Sequence, residues 1–211
     1  MTSFDLSLYL VADQGFCRVG GISAIVAAAI DGGVTIVQLR GPRANLRQFL
    51  DDALLLRELT RSKGVPLIIN DHIDIALAVD ADGVHVGQAD MPVSFARQLL
   101  GASKIIGLSI TRPADLAEEE LALVDYVGLG PVFPTQSKAD AAPALGLDQF
   151  RAMRSLIHLP VVAIGGITLR NAGDVMAMKA DGVAVVSAIC SAADPRQAAA
   201  SLKQSIMEGR R

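Results

Sequence analysis

Asp31-Gly32-Gly33-Val34, Asp82-Gly83-Val84, Asp125-Tyr126-Val127 and Asp181-Gly182-Val183 are versions of one phrase, each set after a helical stretch that ends in small residues and before a short apolar run. Glycine suits such a helix-to-strand turn because, lacking a Cβ, it adopts left-handed backbone angles at little cost. The apolar runs alternate with amphipathic stretches from end to end, the pattern of strand-helix units around a parallel sheet. They place strands at Leu6–Ala12, Val34–Arg40, Pro66–Asn70, Gly83–Val86, Lys104–Ser109, Tyr126–Leu129, Pro160–Ile164 and Gly182–Val185. Eight such units predict a closed (β/α)8 TIM barrel of the α/β class, with the phrase before each even-numbered strand. Helix-to-strand turns of that fold lie opposite the chemistry, so Asp31, Asp82, Asp125 and Asp181 are read as structural.

Composition agrees with a barrel and narrows the partners. At 211 residues, of which 51% are hydrophobic and 19% charged, the chain is expected to form one domain spanning 1–211. That is compact for a barrel and leaves little length for decoration. A net charge of −3 with no dense Lys/Arg stripe argues against a nucleic-acid partner. The cysteines Cys17 and Cys190 lack a metal-type spacing and are expected to be buried thiols. Without a leader-like or long apolar segment, no membrane role is expected and the location is read as cytoplasmic. The oligomeric state, including a homo-oligomer, is left open.

The chemistry is expected at the carboxyl ends of the strands. Alternation puts Ile36, Gln38 and Arg40 on the inward face and Val37 and Leu39 on the other. The third strand runs into Asn70-Asp71 and the fourth is followed by Gly87-Gln88-Ala89-Asp90, so Asp71 and Asp90 reach the same rim. Mg²⁺ takes one or two protein carboxylates and completes its shell with phosphate oxygens and water, which suits this pair. A helix N-cap is the competing role for Asp71. The Gly165-Gly166 pair after the seventh strand and Val186-Ser187 after the eighth match the recurrent phosphate site of the fold, where backbone N–H groups bind the anion. The stretch Gly130–Gly146, with three prolines and no helical period, carries Thr135, Ser137 and Lys138 and is read as a functional loop. His85 points inward mid-strand and is read as a hydrogen-bonded core histidine within reach of the pocket.

The chain resembles the thiamine-phosphate synthase family over nearly its whole length. The resemblance is carried by VQLR (Val37–Arg40), IINDH (Ile68–His72), DGVHVGQAD (Asp82–Asp90), GLSI (Gly107–Ile110), YVGLGPVFPTQSK (Tyr126–Lys138) and VAIGGI (Val162–Ile167). It implies a transferase that joins 4-amino-2-methyl-5-hydroxymethylpyrimidine diphosphate to 4-methyl-5-(2-phosphoethyl)thiazole with Mg²⁺. Contacts to the pyrimidine diphosphate would come from Gln38, Arg40, Asn70, Ser109 and Lys138, and Mg²⁺ would be held by Asp71 and Asp90. The thiazole phosphate would lie against Thr135, Ser137, Gly166 and the Val186-Ser187 backbone, with Leu39 and Gln136 as further substrate-binding residues. Arg40, Lys138 and Ser109 would act most directly on the chemistry.

Four positions depart from the family pattern. Gly41 and Pro42 replace an acidic residue and a lysine, with Arg43 as a candidate substitute for the lost cation. His72 stands where an arginine is usual, and Ser137 keeps the hydroxyl of a threonine. The missing lysine favours a thiazole tautomerase-like relative, and retention of Asp71, Asp90 and Lys138 opposes it. A non-catalytic thiamine-phosphate-binding barrel and a phosphate-binding sugar isomerase are further rivals, the latter leaving the long loop and the QLR segment unexplained.

Overall fold

The short Val-, Ile- and Leu-rich runs form eight parallel strands that close on themselves in chain order in the computed structural model. The structure describes residues 4–17, 20–41, 45–137 and 141–210. The strands are β1 (Leu8–Asp13), β2 (Ile36–Arg40), β3 (Leu67–Asn70), β4 (Gly83–Val86), β5 (Ile105–Ile110), β6 (Tyr126–Leu129), β7 (Val161–Ile164) and β8 (Gly182–Val185). Around them run α1 (Ile22–Asp31), α2 (Leu46–Lys63), α3 (Ile73–Ala78), α4 (Val93–Leu100), α5 (Glu118–Leu121), α6 (Gly146–Arg154), α7 (Ala172–Ala177), α8 (Ser187–Cys190) and α9 (Pro195–Gly209). No helix among the described residues is long and apolar enough to cross a membrane.

Strand alternation divides the core into two layers. Tyr9, Val11, Ile36, Ile68, Ile105, Tyr126, Val162 and Ala184 fill the barrel interior. Leu8, Leu10, Val37, Leu39, Ile69, Val84, Leu108 and Val127 face outward under the helices. The longer helices carry sequence-encoded ends. Asn45 caps α2 by accepting from Gln48 N–H at 3.2 Å, and Gly64 ends it with φ 66°. Asp194 caps α9 in the same way through Gln197 N–H at 3.0 Å, ahead of Pro195.

The recurring aspartates brace the bottom of the barrel. Asp82 accepts the Leu67 N–H at 2.8 Å, Asp125 the Ile106 N–H at 2.8 Å and Asp181 the Val161 N–H at 2.7 Å. Each therefore satisfies an orphan backbone donor where the neighbouring strand begins. An arginine from the preceding even-numbered helix completes each brace: Arg57 to Asp82 at 2.7 Å, Arg97 to Asp125 at 2.8 Å and Arg154 to Asp181 at 3.1 Å.

Asp31 does not belong to this set. It is the exposed last residue of α1 and pairs with Lys63 at 3.0 Å. Thr35 takes the bracing position instead, its Oγ1 accepting the Leu8 N–H at 3.1 Å. The turn geometry gives the same register, because the left-handed residue lies two before the brace in Gly33 (φ 107°), Asp80 (φ 52°) and Lys179 (φ 69°). Gly83 and Gly182 are thus not the left-handed turn residues that the sequence suggests. They are needed for close strand approach: a Cβ on Gly83 would collide with the Ile105 carbonyl, and one on Gly182 with the Leu6 carbonyl.

Cys17 and Cys190 are both buried and free, as the sequence predicts. The fold nevertheless brings their sulfurs to 2.9 Å, joining the segment after β1 to α8. Cys17 donates and Cys190 accepts, which pushes the Cys17 thiol up and holds Cys190 below the usual thiol range.

Candidate active site

A cavity of about 790 Å³ opens at the carboxyl ends of the strands. The inward alternation of β2 brings Gln38 and Arg40 to it, and the ends of β3, β4 and β5 bring Asn70, Asp71, Asp90 and Ser109. On the opposite side lie Gly165 and Gly166 after β7 and Val186 and Ser187 after β8, with Thr135 and Ser137 from the long loop. The structure therefore gathers Gln38, Arg40, Asn70, Asp71, Asp90, Ser109, Thr135, Ser137, Gly166, Val186 and Ser187 around one cavity.

Two expected contacts are not brought there by their side chains. Leu39 points outward into the layer beneath the helices, as its place in the strand alternation requires. Gln136 is exposed and does not line the cavity. Lys138, Pro42 and Arg43 lie outside the described residues. Of the departures, His72 packs on the Phe49 ring with centroids 5.1 Å apart. At Gly41 a Cβ would meet the Gln14 side-chain amide, itself bonded to Asp52 at 2.5 Å, and the Phe49 ring, so a larger residue there would have to displace them.

Arg40 is held by two elements. Its Nε donates to Asp13 Oδ2 at 2.7 Å, and an Nη donates to the Ser137 carbonyl at 2.7 Å. Asp13, at the end of β1, thus aims the guanidinium, while the guanidinium ties the long loop over the mouth. The loop is also fastened at both ends. Val132 N–H donates to the Ile164 carbonyl at 2.8 Å and Phe133 N–H to Gly165 at 3.1 Å, extending the edge of β7. Leu145 N–H and Gly146 N–H return to Pro131 and Val132 at 2.8 and 2.9 Å. Gly166, with φ 62°, permits this approach, since a Cβ would lie 2.8 Å from Phe133 Cβ.

Asp71 has φ 62°, a left-handed conformation uncommon for a residue with a side chain. Its N–H donates to the His85 carbonyl at 2.9 Å, which fixes this strained turn against β4. Asp90 accepts the Gly87 N–H at 2.8 Å, so one carboxylate oxygen is oriented by its own loop.

A buried hydrogen-bond chain crosses the floor of the cavity. Gln38 Nε2 donates to Tyr9 Oη at 2.9 Å, and Tyr9 Oη lies 2.8 Å from Tyr126 Oη. Tyr126 Oη is 3.0 Å from His85 Nδ1, and His85 Nε2 is 2.9 Å from Ser109 Oγ. Burial pushes both phenols above the usual tyrosine range. Two inward glycines make room for it: a Cβ on Gly107 would collide with the Tyr126 ring, and one on Gly128 would stand 3.1 Å from His85 Cε1. Tyr9, Asp13 and Tyr126 are site residues that the sequence did not single out. Inward strand alternation alone could have flagged them.

Fold and site together define a (β/α)8 barrel whose mouth gathers an arginine and two carboxylates on one side and glycine-rich phosphate-type loops on the other, the makings of a group-transfer enzyme for phosphorylated substrates. The family model for thiamine monophosphate synthase matches residues 8–189, and the chain belongs to that family. It is 51% identical to the thiamine-phosphate synthase of Chloroflexus aurantiacus over 94% of this chain and 92% of that one. Identity to the Xanthobacter autotrophicus thiamine-phosphate synthase is 49%, over 98% of each chain. The solved thiamine phosphate pyrophosphorylase from Pyrococcus furiosus superposes with a TM-score of 0.86 at 35% identity, covering 98% of both chains. A 3-hexulose-6-phosphate synthase structure, at 18% identity and TM-score 0.67, shares the fold.

Proposed function

We propose that the protein is a Mg²⁺-dependent thiamine-phosphate synthase, joining 4-amino-2-methyl-5-hydroxymethylpyrimidine diphosphate to 4-methyl-5-(2-phosphoethyl)thiazole with release of diphosphate. The observation that carries this reading is a single cavity lined by Arg40, Asp71 and Asp90 on one side and by the Gly166 and Ser187 loops on the other. One substrate with a leaving diphosphate and one with a retained phosphate would use both. The high identity to thiamine-phosphate synthases over most of the chain supports the same reading.

The donor set fits Mg²⁺. Asp71 and Asp90 are hard oxygen donors that line the same cavity as Arg40. Two carboxylates, with the remaining positions given to phosphate oxygens and water, match the habit of this ion. When bound there, it would neutralise charge growing on the departing diphosphate.

The chain's own groups do the rest. Arg40, aimed by Asp13, would bind the diphosphate oxygens, and Lys138 would join it from the loop. Gln38, Asn70 and Ser109 would hold the pyrimidine, while the Gly166 and Ser187 loops and the hydroxyls of Thr135 and Ser137 would orient the thiazole phosphate. The C–O bond to diphosphate breaks as the electron-rich pyrimidine methylene gains cation character, and the thiazole nitrogen then forms the C–N bond. The long loop, fastened through Ser137 and Val132, would keep water from that cation. No covalent enzyme nucleophile is needed, because positioning of the two substrates can itself supply about 7–11 kcal/mol.

The test is incubation of the purified protein with both substrates and Mg²⁺, with chromatographic detection of thiamine phosphate and diphosphate. Equimolar appearance of both products is expected. Isomerisation of the thiazole or binding without diphosphate release would overturn the proposal in favour of a tautomerase-like or carrier protein.

A further inference from the structure

We propose that Cys17 and Cys190 form a site of reversible covalent modification, at which a hydroperoxide converts the two thiols into a disulfide that staples the segment after β1 to α8. The proposal does not depend on the reaction proposed above, and it concerns residues outside the cavity lining.

The fold supplies the partners. The chain has two cysteines, 173 positions apart in sequence, and closure of the barrel brings their sulfurs to 2.9 Å. Two thiols aimed at each other at this range meet the geometric requirement of a disulfide, and the chain has no third cysteine to compete for either. Both are fixed from behind by their own backbones. Cys17 N–H donates to the Asp13 carbonyl and Cys190 N–H to the Val186 carbonyl, each at 2.9 Å. The Cys190 sulfur also lies 3.6 Å from the Val11 carbonyl. Each cysteine thus ends a turn that opens on a cavity residue, Asp13 on one side and Val186 on the other. β1 and β8 pair beside them through Leu8, Tyr9 and Leu10, so a bridge here crosses the seam where the two ends of the chain close the barrel.

Chemistry decides which oxidant fits. The thiolate is the reacting form of cysteine, and the hydrogen bond from Cys17, aided by the Arg40 guanidinium, holds Cys190 below the usual thiol range. Cys17 and Cys190 keep only 6% and 4% of their surface exposed, which favours a small hydroperoxide, admitted by local opening, over a bulky disulfide. The Cys190 sulfur attacks the terminal peroxide oxygen. The S–O bond forms as the O–O bond breaks, and the departing alkoxide or hydroxide takes up a proton. The Cys17 sulfur then attacks the sulfenic acid at Cys190, forming the S–S bond while the sulfenic oxygen leaves as water with the Cys17 proton. Two thiols thereby lose two electrons and two protons, and one hydroperoxide becomes one alcohol and one water, or two waters from hydrogen peroxide. A dithiol reductant reverses the change by exchange. The staple closes a loop that takes in most of the chain, the case in which a cross-link restricts the unfolded state most. The bridged protein therefore unfolds at a higher temperature than the reduced one.

The test uses the full chain, reduced and then treated with hydrogen peroxide. Free thiols are blocked with iodoacetamide in denaturant before non-reducing peptide mass mapping. A Cys17–Cys190 linked peptide is expected in monomeric protein, and the thiol titre should fall from two per chain to none. Tm should rise by at least about 4 °C and return with dithiothreitol. Cys17→Ser and Cys190→Ser, each keeping one thiol, should show neither the linked peptide nor the rise. Should either variant fail to fold, the parent's own map and its reversal by dithiothreitol still decide between the outcomes. Thiols that survive peroxide, that pass to sulfinic acid without linking, or that link between chains would overturn the proposal, and so would a bridged protein with unchanged Tm.

Discussion

Asp71 and Asp90 show how one residue type serves different ends within a single chain. The braces Asp82, Asp125 and Asp181 sit at the bottom of the barrel against arginines, whereas Asp71 and Asp90 line the cavity. Removal of a cavity carboxylate should therefore damage activity more than stability. Asp71→Ala and Asp90→Ala are each expected to cut turnover by at least a hundred-fold with Tm near the parent value, and EDTA should abolish activity until Mg²⁺ is restored. Full activity in EDTA would sink the metal assignment. At this scale strand alternation was a good guide to direction for Gln38 and Arg40, which line the cavity, whereas Ser109 was named only through the family resemblance. The sequence was silent on Tyr9 and Tyr126, because two apolar-looking aromatics at strand starts show a polar role only when the closed barrel brings their hydroxyls to 2.8 Å.

The connecting elements carry their own electrostatic locks. After β5 the chain turns through a 3-10 segment, Pro113–Asp115, whose last residue is buried. Burial pushes the Asp115 carboxyl up, but hydrogen bonds from the Thr111 and Arg112 backbone N–H groups, the Thr111 hydroxyl and the Arg112 guanidinium outweigh it and leave the group below the usual carboxylate range. A carboxyl lowered on folding stabilises above its unfolded pKa, and that contribution disappears as pH falls through the folded value. Asp115→Asn should thus cost about 1 kcal/mol near pH 7. Urea unfolding across pH should show the gap between parent and variant closing below about pH 4. A gap that stays constant from pH 7 to pH 3 would refute the lock. Element boundaries were legible to a similar degree: Gly83–Val86, Tyr126–Leu129 and Gly182–Val185 stand as expected, because a bracing aspartate marks where each begins. The strand before them in the phrase, β2, begins later than expected, because Thr35 rather than Asp31 takes the brace.

At the scale of the molecule, closure in strand order was readable from periodicity alone, while the cavity's composition needed the register that closure sets. That register places Asn70 beside His85 and Ser109 beside Gly128, so polar and empty positions meet at the carboxyl end. The braces have an architectural consequence. Each arginine–aspartate–backbone triplet is completed within one helix-strand-helix-strand quarter, as in Arg57, Leu67 and Asp82, or Arg154, Val161 and Asp181. A barrel built this way can be cut between quarters without severing any triplet. Two separately encoded fragments, 1–91 and 92–211, should therefore find each other when co-expressed and co-purify as an equimolar, thermally cooperative complex. A cut at Gly64 parts Arg57 from Asp82 and should yield far less complex. Equal recovery from the two cuts would show that the triplets do not define assembly units; unequal recovery would make the quarter, rather than the strand, the piece from which such a barrel can be rebuilt.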